Sequence, residues 1–349
     1  MQKYTWDYKK LKNELKEISI RLMLEDIPEQ EKIKLENKLE TILEMKKYLS
    51  IPETILKKIK FTDYDNDFDI DDAKETINSY ITPFQEELMK EYYEEFLNRD
   101  FGYVSKKDLK TCLPRNLKLL FSKEIFLEAG GKIEDFKRMC DPKNHFLNLS
   151  NYSSRGCFFS YEKDSYIFSS NKNNVYSFCA LIHELGHYFE YCFNDFFINT
   201  TDNRNILYEE ISSLLFEHIG LDTLKKHGII DDNKKTAFQK YIMGENTSVA
   251  DEYFMLKTII NDPNPTFIDK IKVHSYPNTI LNTTYYYSYI IAISLYYQYI
   301  DNSKEAINNL KHLLTNFNEE NELKLLEESD IDLSGNTLRK HLDKLKRNN

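Results

Sequence analysis

Glycine and proline are scarce in this chain, and their scarcity restricts the folds that it can adopt. Only 9 Gly and 8 Pro occur among 349 residues. Because these two residue types punctuate turns, their rarity disfavours a turn-rich β fold and favours long helices. Hydrophobic residues make up 41% of the chain, which is enough to build a core for one large or two modest domains.

The charge balance and the apolar patterning exclude several classes of partner. The 47 Lys and Arg against 57 Asp and Glu give a formal net charge of −10, so nucleic-acid binding is not expected. No run of uncharged apolar residues reaches the length that a membrane span needs. The N-terminal segment is charged from its third residue and lacks the apolar core of a secretory signal. We therefore expect a cytoplasmic protein without nucleic-acid or membrane partners, whose oligomeric state the sequence leaves open.

Hydrophobic periodicity divides the chain into helical stretches around one short β region. Residues 8–48 have the pattern of a helical hairpin, and residues 71–98 that of a further helix. Between about 153 and 170, short aromatic and β-branched runs separated by polar residues predict a small sheet. From Val175 onward the pattern is helical again. These observations predict a mainly α fold with a small β-sheet.

One segment inside an apolar helical run carries metal-binding chemistry. It reads C-A-L-I-H-E-L-G-H-Y-F over residues 179–189 and contains an H-E-x-x-H string. Residues four apart share a helix face, so His183 and His187 can direct their imidazoles at one ion. Glu184 then flanks the site as a candidate general base that takes a proton from the attacking water. A hydrolytic zinc site needs one more protein ligand.

A second amphipathic helix downstream supplies a candidate for this third ligand. Residues 207–218 have helical periodicity, and Glu210 follows His187 by 23 residues, which leaves room for a loop and a returning helix. Glu209 is the competing ligand, although it points about 100° away around the helix. We expect one Zn²⁺ ion to be held by His183, His187 and Glu210.

Two further polar residues share the helix face of Glu210. Ser213 and Glu217 follow it at positions i+3 and i+7. Glu217 is therefore a candidate for a hydrogen bond to a ligand imidazole, which would fix the tautomer of that ring. We expect both side chains to surround and orient the metal ligands rather than to bind the metal themselves.

The metal-binding segment and its flanks resemble the M3 family of zinc metallopeptidases, and within it the oligopeptidase F branch. Residues 165–170 (S-Y-I-F-S-S) are similar to the family's strand P-Y-I-L-x-N, and residues 180–187 (A-L-I-H-E-L-G-H) to its helix T-L-A-H-E-L-G-H. Residues 155–158 (R-G-C-F) resemble its R-x-G-A-Y/F strand. Residues 210–217 (E-I-S-S-L-L-F-E) resemble its E-I-A-S-x-x-x-E, which favours Glu210 as the third ligand.

The similarity continues toward the C-terminus. Residues 285–289 (Y-Y-Y-S-Y) resemble the family's F-Y-x-Y-x-Y segment, and residues 274–276 (H-S-Y) stand where the family has H-F-Y. Residues 330–333 (D-I-D-L) are similar to its G-V-D-L before the last helix. The resemblance therefore covers the chain from about residue 153 onward.

This resemblance implies an architecture as well as a cofactor. It implies a helical zincin-type metallopeptidase with a small β-sheet beside the active-site helix and a substrate channel between helical lobes. Residues 1–100 would form a helical N-terminal lobe, shortened relative to the family, and residues 101–349 the helical catalytic domain. The implied cofactor is one Zn²⁺ ion, and the implied partner is a peptide substrate.

The resemblance also implies roles for a group of aromatic residues. One or more hydroxyl groups of Tyr285, Tyr287 and Tyr289 are expected to donate hydrogen bonds to the tetrahedral oxyanion, with assistance from His274. Donors of this kind stabilise the charge that develops in the transition state. Tyr289 is the first choice, since it aligns with the last tyrosine of the family segment.

The predicted β region offers a way to hold a peptide. Gly156, Cys157 and Phe158 suggest a strand with an exposed edge, along which an extended peptide can pair as an added strand. The alternative is an ordinary sheet strand with no free edge. Pairing through the main chain would hold a peptide without reading its side chains.

These observations predict a zinc-dependent endopeptidase that hydrolyses peptide bonds in short or unstructured peptides. One alternative is a protease for larger polypeptides, or for a dedicated leader peptide, that admits them through a more open cleft. Another is a non-catalytic peptide-binding protein with a structural metal. A structural site has no use for Glu184, so the sequence favours the catalytic interpretation.

Overall fold

The computed structural model describes much of the chain from residue 74 onward, in separate stretches. These are residues 74, 77–78, 80–102, 104, 109–141, 147–150, 156–161, 164–193, 208, 210–262, 276–316 and 321–346. The helical hairpin predicted for residues 8–48 lies outside the described residues. The predicted division into a lobe at 1–100 and a domain at 101–349 therefore stays a prediction.

Thirteen helices and strands occur within the described residues. In chain order they are α1 (Pro83–Leu97), α2 (Arg115–Glu128), α3 (Ile133–Cys140), β1 (Leu147–Ser150), β2 (Gly156–Tyr161), β3 (Asp164–Ser170), α4 (Val175–Phe193), α5 (Ile211–Lys226), α6 (Asp232–Ile260), α7 (Tyr276–Asp301), α8 (Ser303–Asn316), α9 (Glu322–Glu328) and α10 (Asn336–Leu345). The predicted fold class, mainly α with a small sheet, is confirmed.

Contacts between residues divide the chain into two units. We name the described residues between 111 and 193 the sheet unit, because they contain β1, β2 and β3. We name the described residues 74–110 together with 208–346 the helical unit, because its regular elements are all helices. The H-E-x-x-H string belongs to the sheet unit, and Glu210 belongs to the helical unit.

The sheet has three strands in the order β1-β3-β2. β2 and β3 pair antiparallel with Gly156 opposite Ser169, which confirms the strand pair that the aromatic runs predict. β1 pairs with β3 in parallel and was not predicted. Alternate residues of β3, among them Ile167 and Ser169, are buried, as expected for a strand with one covered face. In the sheet unit α4 packs against β2 and β3.

The first helix of the helical unit begins with a capping box. The Thr82 hydroxyl accepts a hydrogen bond from the Gln85 main-chain N–H at 3.2 Å. The Gln85 side-chain oxygen accepts one from the Thr82 N–H at 2.9 Å. Pro83 occupies the first helical position, where its missing N–H costs nothing. This local sequence therefore fixes the start of α1 and the orientation of the Gln85 side chain.

Helix α5 is longer than its sequence suggests. The periodic pattern covers residues 207–218, but the helix continues to Lys226 and Gly220 is buried within it. A glycine inside a helix costs about 1 kcal/mol relative to alanine, which packing can offset. The helix ends before Gly228, whose φ of 67° provides the left-handed conformation of a helix C-terminus.

Each unit has its own aromatic core. In the sheet unit Phe126 stacks on Tyr188 and meets Phe189 edge to face, with ring centroids 5.8 Å apart in both pairs. In the helical unit Tyr253 and Tyr287 are fully buried. Over the described residues, none of the helices combines the length and the apolar character that crossing a membrane requires.

Candidate metal centre

Helix α4 carries the H-E-x-x-H string, and most of its side chains are buried. Its first turn is capped by Asn174, whose side-chain oxygen accepts a hydrogen bond from the Ser177 N–H at 2.8 Å. His183 and His187 differ from most of the helix because they are partly exposed. An apolar helix buried on nearly every side thus leaves two imidazoles accessible.

The two imidazoles lie next to each other, as their spacing of four residues predicts. Their ring centroids are 5.1 Å apart and their planes cross at 79°. Phe158 of β2 stacks on His187 with centroids 5.9 Å apart and an interplanar angle of 22°. The strand beside the helix therefore restricts the orientation of the second imidazole.

Glu184 follows the first histidine on the same helix and is buried, with only 5% of its surface exposed. An ionised carboxylate is costly to bury unless other groups offset the loss of water. A buried acid next to a pair of accessible imidazoles is the arrangement in which a carboxyl group can exchange protons away from bulk solvent.

Glu210 lies at the N-terminus of α5, at the N-cap position rather than inside the helix. The Ser213 hydroxyl donates to a Glu210 side-chain oxygen at 3.0 Å and is 2.9 Å from the Glu210 main-chain oxygen. This contact restricts the carboxylate to one orientation. Glu217 is half-buried two turns further along α5. The competing ligand, Glu209, lies outside the described residues.

The three predicted ligands form a donor group. His183, His187 and Glu210 each offer one ligand atom, and these atoms all lie within 4.8 Å of one another. Within the described residues, no other group of three or more His, Cys, Asp or Glu side chains is arranged so that it could hold a metal ion. Two imidazole nitrogens and one carboxylate oxygen, each about 2.0–2.2 Å from the ion, are the ligands of many catalytic zinc sites, so the residues fit the metal.

The three tyrosines proposed as oxyanion donors have different surroundings on α7. Tyr285 is partly exposed. Tyr287 is fully buried, and its hydroxyl donates to Glu322 Oε1 at 2.7 Å. Burial above all, together with the neighbouring Tyr208 and Glu322, raises the pKa of Tyr287 well above its usual value, so it remains a protonated donor.

The first-choice tyrosine also has a partner. Tyr289 is 2% exposed, and its hydroxyl lies 3.3 Å from His341 Nε2 in the interior of the helical unit. Burial is the main cause that raises the pKa of Tyr289. Tyr287 and Tyr289 would have to exchange these contacts to reach an oxyanion, whereas Tyr285 is partly accessible. His274 lies outside the described residues.

The strand residues predicted to hold a peptide lie in β2. Gly156 is partly exposed, whereas Phe158 is buried against His187. Only the main chain of Cys157 is described. Among the described strands β2 is at one side of the sheet, since its neighbour is β3. The role of these three residues in binding a peptide stays a prediction.

One buried residue that contacts the start of α4 was not predicted. Lys118 of α2 is fully buried, and its ammonium donates to Ser170 O at 3.3 Å, Lys172 O at 2.8 Å and Ser177 Oγ at 2.9 Å. Burial, helped by the charge of Arg115, lowers the pKa of Lys118 to about 8. No sequence pattern indicates this role, because Lys118 lies in an ordinary helical stretch.

Among known proteins, those similar to this chain were found by structure and not by sequence. No family model matches this sequence. No curated protein matches it either.

Solved structures of peptidases resemble the chain. One, described as an oligoendopeptidase F, has a TM-score of 0.52 at 12% identity and covers 80% of this chain and 58% of its own. A PZ peptidase A with an inhibitor has a TM-score of 0.49 at 15% identity, with coverages of 80% and 58%. An oligoendopeptidase F from Bacillus anthracis str. Ames has a TM-score of 0.46 at 17% identity, with coverages of 91% and 63%.

The chain thus spans less than two thirds of the length of these solved structures. At identities this low, structural similarity is evidence for the fold and not for the activity. The similar structure therefore supports the predicted fold of the chain.

Proposed function

We propose that this protein is a zinc-dependent endopeptidase that hydrolyses peptide bonds in short or unstructured peptides. The observation that carries the proposal is the group of His183, His187 and Glu210 with Glu184 beside it on α4. The similar solved structure is described as a peptidase, which supports this activity. Similarity of fold does not by itself identify the catalytic residues. Cytoplasmic action remains part of the proposal.

Each residue has a distinct role in the proposed reaction. His183, His187 and Glu210 would hold a Zn²⁺ ion, which when bound makes water more acidic and polarises a carbonyl group. Glu184 takes a proton from the attacking water and then passes it to the leaving amine, so that one carboxyl group serves as base and as acid. Ser213 keeps the Glu210 carboxylate in one orientation.

Oxyanion stabilisation is assigned to a tyrosine of α7. Tyr285 is favoured over Tyr287 and Tyr289 because it is partly exposed, while the other two are buried. Removal of one oxyanion donor typically lowers kcat by ~10²–10³. Tyr285→Phe is therefore the variant of the three that should reduce turnover most.

The test of the catalytic role is Glu184→Gln. This change keeps the size of the side chain but removes its ability to accept a proton, so peptide cleavage should fall by ~10³ or more while zinc remains bound. Cleavage is measured by mass spectrometry of a peptide mixture, and zinc by metal analysis of the purified protein. Glu134→Gln, an exposed acid of the sheet unit, is the matched control.

Two results would contradict the proposal. Full activity of the Glu184→Gln protein would remove this residue from the reaction. Zinc bound by a wild-type protein that cleaves no peptide would favour a structural metal instead. A chelator should abolish cleavage, and added zinc should restore it.

The size limit of the substrate decides between the proposed peptidase and a protease for larger polypeptides. Peptides of increasing length and an unfolded protein are incubated with the wild-type enzyme under the same conditions. Cleavage confined to the shorter peptides supports an oligopeptidase. Equal cleavage of the unfolded protein would favour the more open cleft.

A further inference from the structure

A buried carboxylate joins four parts of the helical unit. Glu322, the first residue of α9, is 5% exposed. Gln85 Nε2 donates to both of its oxygens, at 2.8 and 2.9 Å. The hydroxyl groups of Tyr208 and Tyr287 donate to Glu322 Oε1 at 2.9 and 2.7 Å. The carboxylate therefore connects α1, α7 and α9 with the residue Tyr208, which precedes α5.

The three partners are neutral donors, and each has little freedom to turn away. The Gln85 side-chain oxygen is occupied by the Thr82 N–H of the capping box, so its amide nitrogen must face Glu322. Burial is the main cause that raises the pKa of both Tyr208 and Tyr287, so both hydroxyl groups remain protonated. Their rings also pack on each other with centroids 5.9 Å apart.

This arrangement is stable only as a complete set. A buried carboxylate without hydrogen bonds costs several kcal/mol, and loss of one donor leaves charge without compensation. Networks of this kind restrict the positions of all their members. Here the network restricts the positions of segments that carry proposed active-site residues.

Two partners of Glu322 stand close in sequence to proposed active-site residues. Tyr208 is two residues before Glu210, the proposed third metal ligand. Tyr287 is two residues after Tyr285, the proposed oxyanion donor. A hydroxyl that fixes the main chain at position 208 limits the positions that the Glu210 carboxylate can take.

We propose that Glu322 is a positioning residue, which holds through Tyr208 the turn that carries Glu210 and through Tyr287 the part of α7 that carries Tyr285. The inference rests on the proposed function. Glu322 itself touches no substrate and binds no metal. Its effect is to reduce the freedom of a ligand and of a donor before zinc and peptide arrive.

The principal test measures zinc affinity rather than activity alone. Glu322→Gln replaces a carboxylate oxygen with an amide that cannot accept from Gln85 and the tyrosines together. The dissociation constant for zinc, measured by competition with a chromogenic chelator, should rise by ~10–100-fold, the range for loss of groups that orient a metal ligand. For a peptide substrate, kcat should fall more than KM rises.

A milder variant keeps the test valid if Glu322→Gln does not fold. Tyr208→Phe removes one hydroxyl and retains the ring that packs on Tyr287. It should weaken zinc binding by up to ~10-fold, because Tyr208, two residues before Glu210, loses its hydrogen bond to Glu322. Circular dichroism and thermal unfolding establish that the variant is folded at the temperature of the measurement.

The matched control is Tyr296→Phe. Tyr296 lies on the same helix as Tyr287, is 2% exposed and donates to the Asp222 carboxylate at 2.7 Å. Its loss costs a part-buried hydrogen bond from a tyrosine hydroxyl to a carboxylate, so a comparable loss of stability is expected. Zinc affinity should stay at the wild-type value, because this bond involves neither Glu322 nor Tyr208.

The outcomes separate this inference from the proposed function. Wild-type zinc affinity in both Glu322→Gln and Tyr208→Phe would overturn the positioning role while the peptidase stands. Equal losses of zinc affinity in Tyr208→Phe and Tyr296→Phe would also overturn it, since a general loss of stability would then be the cause. A wild-type protein that binds no zinc would refute the proposed function itself.

Discussion

Lys118 of the sheet unit and Glu322 of the helical unit are both buried charged residues, and their hydrogen-bond partners are of opposite kinds. Lys118 donates to the main-chain carbonyls of Ser170, at the end of β3, and of Lys172, and to the hydroxyl of Ser177 in the first turn of α4. Glu322 accepts from three side chains that belong to other parts of the helical unit. Neither charge has an ion-pair partner among these hydrogen bonds.

The difference follows from how each kind of backbone satisfies its polar groups. A turn after a strand leaves main-chain carbonyls that need a donor, and a lysine can supply it. Helices satisfy their own main chain except at their ends. Connections between helices must therefore be made by side chains, and a carboxylate can collect several donors at once.

The largest expected effect is a loss of stability at acidic pH. It should arise from two buried histidines of the helical unit. His218 and His341 are buried in the helical unit with ring centroids 5.7 Å apart. Burial, with a smaller contribution from Lys235, lowers the pKa of His218 to about 3. Burial is also the main cause that lowers the pKa of His341 well below its ordinary value. Both rings are therefore neutral in the folded protein.

The sign of the effect follows from proton binding. The unfolded chain takes up a proton at each histidine near pH 6.5, whereas the folded chain does not. Stability is therefore complete above about pH 6.5 and decreases as the pH falls toward 3. At pH 5 each histidine should cost ~2 kcal/mol of unfolding free energy, measured by denaturant titration at several pH values.

Substitution of single histidines shows which residue causes this pH dependence of the unfolding free energy. His341→Gln should reduce the slope of the unfolding free energy against pH between 6.5 and 5, because one buried titrating group is lost. His312→Gln is the matched control, since the His312 side chain is 42% exposed. The same slope in wild type and His341→Gln would contradict the assignment.

Lys118→Met tests whether the buried lysine stabilises the sheet unit. The change keeps the length and apolar stem of the side chain but leaves buried oxygens without their donor. A loss of ~2 kcal/mol in unfolding free energy is expected. Lys123→Met, at an exposed position of the same helix, should change stability little. If the two variants are equally stable, the hydrogen bonds of Lys118 do not stabilise the sheet unit.

Two glycine substitutions test how tightly each unit is packed. A Cβ at Gly131 of the sheet unit would lie 2.3 Å from the Phe126 ring and 2.7 Å from its main-chain oxygen. A Cβ at Gly244 within α6 would meet nothing within 4 Å. Gly131→Ala should therefore destabilise by ~1–3 kcal/mol, whereas Gly244→Ala should stabilise by up to ~1 kcal/mol. Thermal unfolding of both variants measures the difference.

Much of the fold was predictable because local patterns carry it. The scarcity of glycine and proline predicted long helices, and the spacing of His183 and His187 predicted two neighbouring imidazoles. The aromatic runs predicted β2 and β3. Strand β1 was missed because four residues, L-N-L-S, contain too little periodicity to identify a strand, and its parallel pairing depends on the tertiary fold.

The rest depends on contacts between residues that are distant in sequence. Nothing near Tyr287 or Tyr289 in the chain indicates that their hydroxyl groups meet Glu322 and His341. A family motif aligns positions but does not show which side chain is accessible. Tyr289 was therefore the first choice from the sequence, although Tyr285 is the more exposed of the two.

The separation of Gln85 and Glu322 by 237 positions also matters during protein synthesis. At typical rates of translation, the ribosome needs roughly 10–50 seconds to add the chain between them. During that interval Glu322 has not been synthesised, so α1 lacks the hydrogen bonds that Gln85 donates to its carboxylate. The described part of the sheet unit lies within residues 111–193 and can assemble earlier. The hydrogen bonds around Glu322 can therefore form only after the described part of the sheet unit has been synthesised.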